Sequence, residues 1–396
     1  MDDAVDRSVL DFDFEKTCSV SLNKNNVYVC LKCGIFISGR GKGTPAFNHS
    51  LEKQHQLFMH LETLKAYSLP DNVEVIDSTL DDIRYAINPT FDLNSLIRDT
   101  CYDLNGNPYI PGFIGLNISG SSDYLVVLIY ALMHIPPLRD RLLTDTFESP
   151  LASALSQLTR KVWSPKLFRN HASPHLMIES ISVASKRQFS GSQRQDPFRV
   201  LPWFLHSLAK ELLFLGQLIK GVLIQTEEEA QLAKSDFQVN LSSTAQKKLN
   251  FSLLAFDLPQ MPLFNKEEDT LTVSVEELLK QYQGQKSLRD GKEISYEIER
   301  APAYLFTVYK RFPSNKFGEE KNKAIIRFPL KNLKIENASY SLLVNICYDE
   351  SANGYFVQIL SKKNGKWYSI RDLEVKEVLA HEIALSQTCI QLWERQ

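Results

Sequence analysis

The stretch GLNISGSSDYLVVLIYAL, residues 115–132, decides how the rest of the chain is interpreted. A polar turn rich in Gly and Ser leads to Asp123, and the apolar run from Leu125 to Met133 has the character of a buried helix. Such a turn is a common place for a nucleophile, because the helix N-terminus lowers the pKa of a thiol placed there. An aspartate stands here instead. It is either a helix N-cap or the occupant of a nucleophile position that has lost its thiol.

Composition and charge restrict the class of protein. The 396 residues are 43% hydrophobic, which is enough for two or three domains with sizeable cores. A net charge of −2 argues against a large basic face for nucleic acid. Four basic residues form either a local patch or one solvated helix face: Arg160, Lys161, Lys166 and Arg169.

Targeting and redox signals predict a soluble, intracellular protein. Residues 1–16 are acidic and lack the apolar core of a secretory signal. The run from Leu125 to Met133 is far shorter than the ~20 apolar residues that a membrane span needs, so no membrane association is expected. The six cysteines are too few and too scattered for a disulfide framework.

The hydrophobic pattern divides the chain into three parts. We expect an acidic tail over 1–16, a Cys/His-rich finger with a linker over 17–104, and a second domain over 109–396. From 115 to 225 apolar residues recur at helical spacing, most clearly in LPWFLHSLAKELLFLGQLIKGVLIQ (201–225). TEEEAQLAKS (226–235) is expected to be an exposed helix end or a loop.

After about residue 235 the pattern becomes one of short β-rich runs. These runs are FSLLAFDLP (251–259), YLFTVYKRF (304–312), AIIRFPL (324–330), YSLLVNICY (340–348), GYFVQIL (354–360) and KWYSI (366–370). Helices followed by strands predict an α+β domain, because alternating βαβ units would mix the two patterns.

The cysteine and histidine spacing of the finger predicts a zinc site. Cys30 and Cys33 form a CxxC pair, and His49 and His55 follow after fifteen intervening residues. Two thiolates and two imidazoles complete a tetrahedral shell and leave no open position for substrate. The alternative is a pair of buried cysteines beside unrelated histidines.

The six-residue spacing of the two histidines also predicts where a helix ends. Positions six apart lie roughly 120° from each other on a helix, so both cannot face one ion. The helix that begins near Thr44 and Pro45 should therefore end or bend before His55. His60 is either a surrogate ligand or a packing residue.

The finger resembles the ubiquitin-binding zinc finger of ubiquitin-specific proteases, through NNVYVCLKCG (25–34), SGRG (38–41) and PAFNHSLEKQH (45–55). The resemblance implies one structural zinc. The positions that hold a second zinc in fuller members are occupied by Cys18, Ser21, Ser38 and Pro45.

The resemblance also identifies a pocket for the C-terminal glycine of ubiquitin. Arg40 matches the arginine that meets its carboxylate, and Tyr28 takes the place of the stacking tryptophan. Leu69 stands where an aromatic hydroxyl is often used. The resemblance therefore implies that Tyr28 and Arg40 are the residues that would contact a ubiquitin tail.

Residues 109–396 resemble the papain-like protease fold of the same family, with its thumb, fingers and palm. Residues 115–132 match the nucleophile box GLxNLGNTCY and the helix after it, GYFVQI (354–359) matches GHYVAY, and WYSIRD (367–372) matches WYxFDD. QRQDPF (193–198) covers the substrate-side QDAHEF element only loosely.

This match implies that no catalytic residue remains. Asp123 falls on the nucleophilic cysteine, Tyr355 on the general-base histidine, Arg371 on the orienting acid and Ile118 on the oxyanion asparagine. None of these side chains can perform the step that its position requires. The resemblance therefore implies a pseudoenzyme, with Asp123 a helix cap in a vacated nucleophile position.

A degenerate finger fused to an inactive protease domain is typical of the snRNP-assembly-defective splicing factor family. YIPGFIGLN (109–117), NHASPHLM (170–177) and GKWYSIRDLEV (365–375) look very like that branch. This implies a nuclear, non-catalytic splicing scaffold that binds proteins of the spliceosomal tri-snRNP. The alternatives are a non-catalytic ubiquitin reader and, weakest, a nucleic-acid-binding finger; no sequence-specific nucleic-acid contact is expected.

Overall fold

The computed structural model describes residues 5–13, 15–91, 100–229, 245–259, 271–289, 292–312 and 321–396. They form two compact units. Unit 1 takes the described residues of 1–117, 140–147 and 153–180, and unit 2 takes those of 118–139, 148–152 and 181–396. No helix within the described residues is long and apolar enough to cross a membrane.

The helices of the described residues, in chain order, are α1 (Pro45–Lys53), α2 (Asp81–Ile87), α3 (Asp123–Met133), α4 (Pro136–Thr144), α5 (Pro150–Val162), α6 (His175–Ala184), α7 (Pro197–Glu211), α8 (Leu213–Ile219), α9 (Val275–Leu279) and α10 (Ala380–Leu385). The strands up to the end of α8 are β1 (Val27–Cys30), β2 (Phe36–Ser38), β3 (Leu57–His60), β4 (Ala66–Ser68), β5 (Val73–Val75), β6 (Cys101–Tyr102), β7 (Pro108–Tyr109), β8 (Gly115–Leu116) and β9 (His171–Ala172).

The later strands are β10 (Gly221–Glu229), β11 (Ala245–Phe251), β12 (Leu253–Asp257), β13 (Thr272–Ser274), β14 (Ser287–Arg289), β15 (Lys292–Arg300), β16 (Tyr304–Lys310), β17 (Ile325–Arg327), β18 (Leu333–Ile335), β19 (Ala338–Asp349), β20 (Gly354–Leu360), β21 (Trp367–Arg371), β22 (Glu374–Val378) and β23 (Thr388–Arg395).

The finger in unit 1 is a five-stranded sheet, in the order β2-β1-β3-β4-β5, with a small core on each face. Side chains alternate between the two faces of a strand, so β1 contributes residues to both cores. Val27 and Val29 join one core with α2, while Tyr28 and Cys30 join the other core with α1. Each core is small, so we expect apolar burial alone to give this segment little stability.

Residues 5–13 pack onto unit 1, although the sequence pattern predicted an acidic tail over 1–16. Leu10 is only 2% exposed and belongs to the core that α2 covers. Asp11 pairs with Arg169 (Oδ2 to Nη1, 2.6 Å), and Asp13 pairs with Lys161 (Oδ1 to Nζ, 2.5 Å). The acidic character of this segment therefore supplies ion-pair partners to a folded surface.

The remaining members of the predicted basic cluster also have internal partners. Arg160 donates to the main-chain carbonyls of Leu142 (3.3 Å) and Asp145 (2.7 Å). The Lys166 ammonium lies 5.3 Å from the centre of the Tyr85 ring. Lys161 and Arg169 pair with Asp13 and Asp11. The four basic residues therefore do not form an open basic patch.

Unit 1 extends to Asn117, beyond the boundary predicted near 104–109. β8 pairs in parallel with β9, and the Gly112 amide donates to the Val162 carbonyl at 2.9 Å. These bonds join residues 109–117 to the segment 153–180. The predicted domain boundary stays a prediction, because a compact unit of the structure need not coincide with a domain in the sense of a protein family.

The predicted α+β class is confirmed: residues 123–219 form mainly helices, α3 to α8, and the described residues from 221 onward form mainly strands. The largest sheet of unit 2 runs β12-β16-β23-β19-β20-β21-β22, with β18 paired to β19, and a four-stranded sheet runs β11-β10-β15-β14. All eleven residues of α3 are buried, since its sequence is apolar on every side, and the helix packs on β20.

The helical spacing over 201–225 predicted helix up to residue 225, and this prediction is wrong after Ile219. α7 stops at Glu211, where Leu212 leaves helical geometry (φ −117°, ψ 82°), and α8 follows up to Ile219. Gly221 then begins β10, whose 226–229 portion was predicted as a helix end or loop. A short run of apolar residues fits the period of a helix and that of a strand equally well. Pairing with β11 and β15 makes these residues a strand. Residues 230–235 of that prediction lie outside the described residues.

Candidate metal centre and the environment of Asp123

Four predicted ligands gather at one point of the finger: Cys30, Cys33, His49 and His55. Their donor atoms all lie within 4.8 Å of one another. Cys30 Sγ is 3.5 Å from His55 Nδ1, and Cys33 Sγ is 3.4 Å from His49 Nε2. The two histidine nitrogens, His49 Nε2 and His55 Nδ1, are 3.2 Å apart.

These separations fit a tetrahedral zinc ion. Zn–S bonds of about 2.3 Å and Zn–N bonds of about 2.0 Å place neighbouring donor atoms about 3.3–3.8 Å apart. Burial raises the pKa of the Cys30 thiol to about 12, so its thiolate form needs a cation beside it. The donor set and its spacing therefore match one structural zinc.

The predicted helix end explains how both histidines reach the same point. α1 begins at Pro45 and carries His49, and it stops at Lys53. Gln54 adopts a left-handed conformation (φ 59°), which turns the chain before His55. The prediction that this helix must end before His55 is confirmed.

A glycine completes the turn after the cysteines. Gly34 has φ +74°, and its amide donates to the Cys30 carbonyl at 2.8 Å. A Cβ at this position would lie 2.4 Å from the Val9 carbonyl oxygen. Only glycine satisfies both the conformation and the close approach of residues 5–13.

Three of the second-zinc positions also lie together, held by hydrogen bonds among themselves. The Cys18 sulfur accepts from the amides of Ser21 (3.3 Å) and Ser38 (3.2 Å), and the two serine hydroxyls are 3.0 Å apart. Burial opposes ionisation of Cys18, but these donors lower its pKa to about 6. Pro45, the fourth position, is the first residue of α1.

The predicted ubiquitin-tail residues are adjacent but partly covered. The Arg40 guanidinium carbon lies 4.0 Å from the centre of the Tyr67 ring. Tyr28 is only 3% exposed, with its ring edge-on to His60 at 4.8 Å. Leu69 is fully buried.

His60 is a packing residue in this structure, not a surrogate zinc ligand. Its Nδ1 accepts from the amides of Glu62 (3.2 Å) and Thr63 (3.0 Å). It therefore fixes the turn after β3.

In unit 2, the Asp123 carboxylate is held by two partners from distant parts of the chain. Oδ1 accepts from Arg194 Nε at 2.8 Å, and Oδ2 accepts from the Tyr355 amide at 2.8 Å. Asp123 is 6% exposed. Both oxygens are thus committed to protein donors at the N-terminal end of α3.

The interpretation of Asp123 as a helix cap is wrong. The N-cap residue is Ser122, whose hydroxyl donates to the Ser119 carbonyl, and α3 begins at Asp123 itself. The carboxylate bonds to Arg194 and to the Tyr355 amide instead of the amides of its own helix, and the bond to Arg194 is charge-assisted. Its charge still lies in the first helical turn, where the helix dipole favours it.

Arg194 is a member of this site that the sequence did not indicate. Besides Asp123, it donates through Nη1 to the Asn353 carbonyl in the turn before β20. Gly354 lies beneath this contact, and a Cβ there would be 3.1 Å from Asp123 Oδ2. The signal in the sequence was an arginine inside QRQDPF, the loosely matching element, for which no acidic partner could be named without the fold.

Tyr355 is buried among aromatic side chains. Its ring lies 5.2 Å from that of Tyr348, at an angle of 65°. Burial raises the pKa of Tyr355 well above its usual range, with Asp196 and Cys389 adding to the effect. Its phenol therefore stays protonated at neutral pH.

Arg371 and Ile118 bond to different acids. Arg371 Nη2 pairs with Asp349 Oδ2 at 2.5 Å and covers the Phe356 ring, on the strand face opposite to Tyr355. The Ile118 amide donates to Asp372 Oδ1 at 3.0 Å. The structure thus brings Asp123 and Tyr355 together through a main-chain bond and directs Arg371 elsewhere.

Comparison with known families agrees with this architecture. Residues 114–393 match the family described as "Ubiquitin carboxyl-terminal hydrolase", and residues 18–80 match the "Zn-finger in ubiquitin-hydrolases and other protein". The chain therefore belongs to the ubiquitin carboxyl-terminal hydrolase family and carries that family's zinc finger.

Three similar proteins place the chain within this family. Ubiquitin carboxyl-terminal hydrolase 39 of Mus musculus is 33% identical over 99% of this chain and 79% of its own length. The probable mRNA-splicing protein ubp10 of Schizosaccharomyces pombe is 34% identical, over 99% and 88% respectively. The crystal structure of an essential yeast splicing factor superposes with a TM-score of 0.84 at 28% identity, covering 99% of this chain and 98% of that one.

Proposed function

We propose that the protein is a non-catalytic pre-mRNA splicing factor, a nuclear protein scaffold in assembly or maintenance of the spliceosomal tri-snRNP. Two of the similar proteins are named for splicing, and the match covers nearly the whole chain. The observation that carries the non-catalytic part is the Asp123 carboxylate, bonded to Arg194 and to the Tyr355 amide.

The chemistry of thiol-dependent hydrolysis is absent from these positions. The reaction needs a thiolate, a base that forms it, and a donor for the oxyanion. Asp123 has no thiol, and the raised pKa of Tyr355 keeps its phenol from acting as a base at neutral pH. Arg371 is cationic and paired with Asp349, so it cannot orient a base as a carboxylate would.

The position of Arg194 is a second, steric reason to expect no hydrolysis. It bonds to Asp123 at the start of α3 and to the Asn353 carbonyl in the turn before β20. A peptide tail approaching Asp123 between these two elements would have to displace a charge-assisted bond of a mostly buried pair. Restoring a cysteine and a histidine alone would leave this arginine in place.

Hydrolysis of a fluorogenic ubiquitin C-terminal substrate tests the non-catalytic assignment. The wild-type protein and the Asp123→Cys/Tyr355→His variant are both expected to show no turnover above buffer. Robust wild-type turnover that disappears in Asp123→Ala would contradict the proposal.

Gentle purification of the tagged protein from nuclear extract tests the splicing role. The expected result is enrichment of the spliceosomal small nuclear RNAs with the protein. Recovery of ubiquitinated proteins without those RNAs would contradict it and favour the second candidate below.

A non-catalytic ubiquitin reader is the second candidate, and Arg40 is the observation that favours it. Arg40 is half-buried over Tyr67, and within the described part of the chain no carboxylate pairs with it. The buried Tyr28 and Leu69 weigh against it, because the stacking surface is covered. Calorimetry with free ubiquitin decides: micromolar binding lost in Arg40→Ala supports this candidate, and a flat titration removes it.

A further inference from the structure

An open cleft in unit 2 lies where α8 approaches the start of β16 and the end of β23. Its volume is about 460 Å³, and all of its lining residues are described. Its lining includes Leu213, Gly216, Lys220, Arg300, Pro302 and Arg395. None of them belongs to the zinc centre or to the environment of Asp123.

Three cations line this cleft and no acidic residue does. Lys220, Arg300 and Arg395 are all exposed, and none of them forms an ion pair with any described residue. The chain as a whole carries a net charge of −2, so the cluster is not a reflection of overall basicity. Like charges at one place repel each other, which an anionic ligand would relieve.

A second cleft of similar size shows the opposite arrangement. It has a volume of about 500 Å³ and contains two lysines, Lys286 and Lys310. Lys310 pairs with Asp257 at 2.9 Å, and Lys286 pairs with Glu228 at 2.5 Å and Glu293 at 3.1 Å. The cations of that cleft are therefore neutralised internally, whereas those of the first cleft are available to a partner.

The first cleft also offers apolar surface. Leu213 is 76% exposed, which is unusual for a leucine beside charged groups, and the buried Gly216 and Pro302 line the same cleft. No aromatic side chain is among the lining residues. The combination suits an aliphatic side chain flanked by carboxylates.

We propose that this cleft, defined by Lys220, Arg300, Arg395 and Leu213, binds an acidic, leucine-containing segment of a partner protein. RNA fits less well, because single-stranded bases bind through stacking on aromatic rings, which the lining lacks. The proposal deepens the scaffold function by giving it a protein-binding surface. It is tested by direct binding, so its failure is distinct from loss of snRNA association.

Fluorescence anisotropy of the full chain with a labelled peptide, Asp-Glu-Leu-Asp-Glu-Leu-Glu-Asp, tests the proposal. Binding is expected at 50 mM salt and should weaken at 200 mM, since the contact is partly electrostatic. Lys220→Glu/Arg300→Glu/Arg395→Glu should weaken it at least about tenfold. Leu213→Ser should weaken it about threefold without changing the urea midpoint, because this side chain is largely exposed.

The matched control carries the same change of net charge elsewhere in unit 2. Lys248→Glu/Lys286→Glu/Lys310→Glu removes cations that are already paired and should leave peptide affinity within about twofold. Equal loss in both triple variants, no binding by wild type, or equal binding of a peptide with serine for leucine would each overturn the proposal. A twelve-nucleotide oligouridylate that binds more tightly than the peptide, and whose binding is lost in Lys220→Glu/Arg300→Glu/Arg395→Glu, would also overturn it.

Discussion

The zinc centre and the environment of Asp123 are two sites at which the family's functional residues are expected, and they differ in what holds them. In the finger, four donor atoms converge within 4.8 Å, and one thiol has a pKa raised to about 12. At Asp123, a carboxylate is satisfied by Arg194 and by the Tyr355 amide. The first site needs an external ion, whereas the second is complete within the protein.

This difference predicts that changes at the two sites have different consequences for stability. A zinc ion that joins four side chains of a small finger contributes folding free energy directly, so the loss of one ligand is expected to destabilise the finger. The Asp123 carboxylate contributes only what its two hydrogen-bond partners supply. With these two partners in place, Asp123 lies at the start of the buried helix α3, and unit 2 also contains an eight-stranded sheet.

The largest expected effect comes from removing a zinc ligand. Cys33→Ser should release the zinc and leave residues 17–77 sensitive to protease, while unit 2 stays resistant. Zinc binding of this kind is worth on the order of 10 kcal/mol of folding free energy, more than the two small cores can replace. Limited proteolysis with metal analysis measures both outcomes.

Cys18→Ser is the matched control for that experiment. Cys18 lies in the same finger but outside the ligand cluster, so this variant should retain one zinc per chain. Loss of zinc in both variants, or equal resistance of both halves in Cys33→Ser, would show that the ligand assignment is wrong.

An intermediate effect is expected at Asp123. Asp123→Ala should lower the free energy of unfolding of unit 2 by about 2–4 kcal/mol, because it leaves Arg194 without its anion and the Tyr355 amide without an acceptor. Urea denaturation measures the loss. Arg194→Ala should cost less, and the double variant should cost less than the sum, since the two residues are coupled.

The exposed pair Lys366–Glu377 is the control for this prediction. Both side chains are about half exposed, so Glu377→Ala should cost less than about 1 kcal/mol. Equal losses in Asp123→Ala and Glu377→Ala would mean that Asp123 is not held as described.

The smallest effect is a pH dependence at Asp349. Hydrogen bonds from Ser351 and the ion pair with Arg371 lower the pKa of this carboxyl to about 2. Its contribution is therefore present above the unfolded value near 4 and is lost as pH falls toward 2. Asp349→Asn should cost about 1 kcal/mol at pH 6, reduced by solvent screening, and the difference from wild type should shrink below pH 4. A difference that stays constant from pH 6 to pH 3 would contradict this assignment.

Local pattern was sufficient for much of the fold. A short β-rich run located β20 at its observed bounds, and the six-residue histidine spacing required α1 to end or bend before His55, as it does after Lys53. It failed where period and length were ambiguous: residues 221–225 looked helical, but pairing with β11 and β15 makes them a strand. Composition alone also could not show that Asp11 and Asp13 pack against Arg169 and Lys161.

The sequence by itself indicated the family through its motifs and the α+β class through its hydrophobic patterns. The cysteine and histidine spacing predicted the four residues that gather in the finger, because spacing along the chain constrains which side chains can reach one ion. The tertiary structure alone decided what Asp123 does. Its partners are 71 and 232 residues away along the chain. No local sequence pattern encodes a hydrogen bond over such a separation. Only the tertiary structure, in which α3 packs on β20, shows that the Asp123 carboxylate bonds to these distant residues instead of capping its own helix.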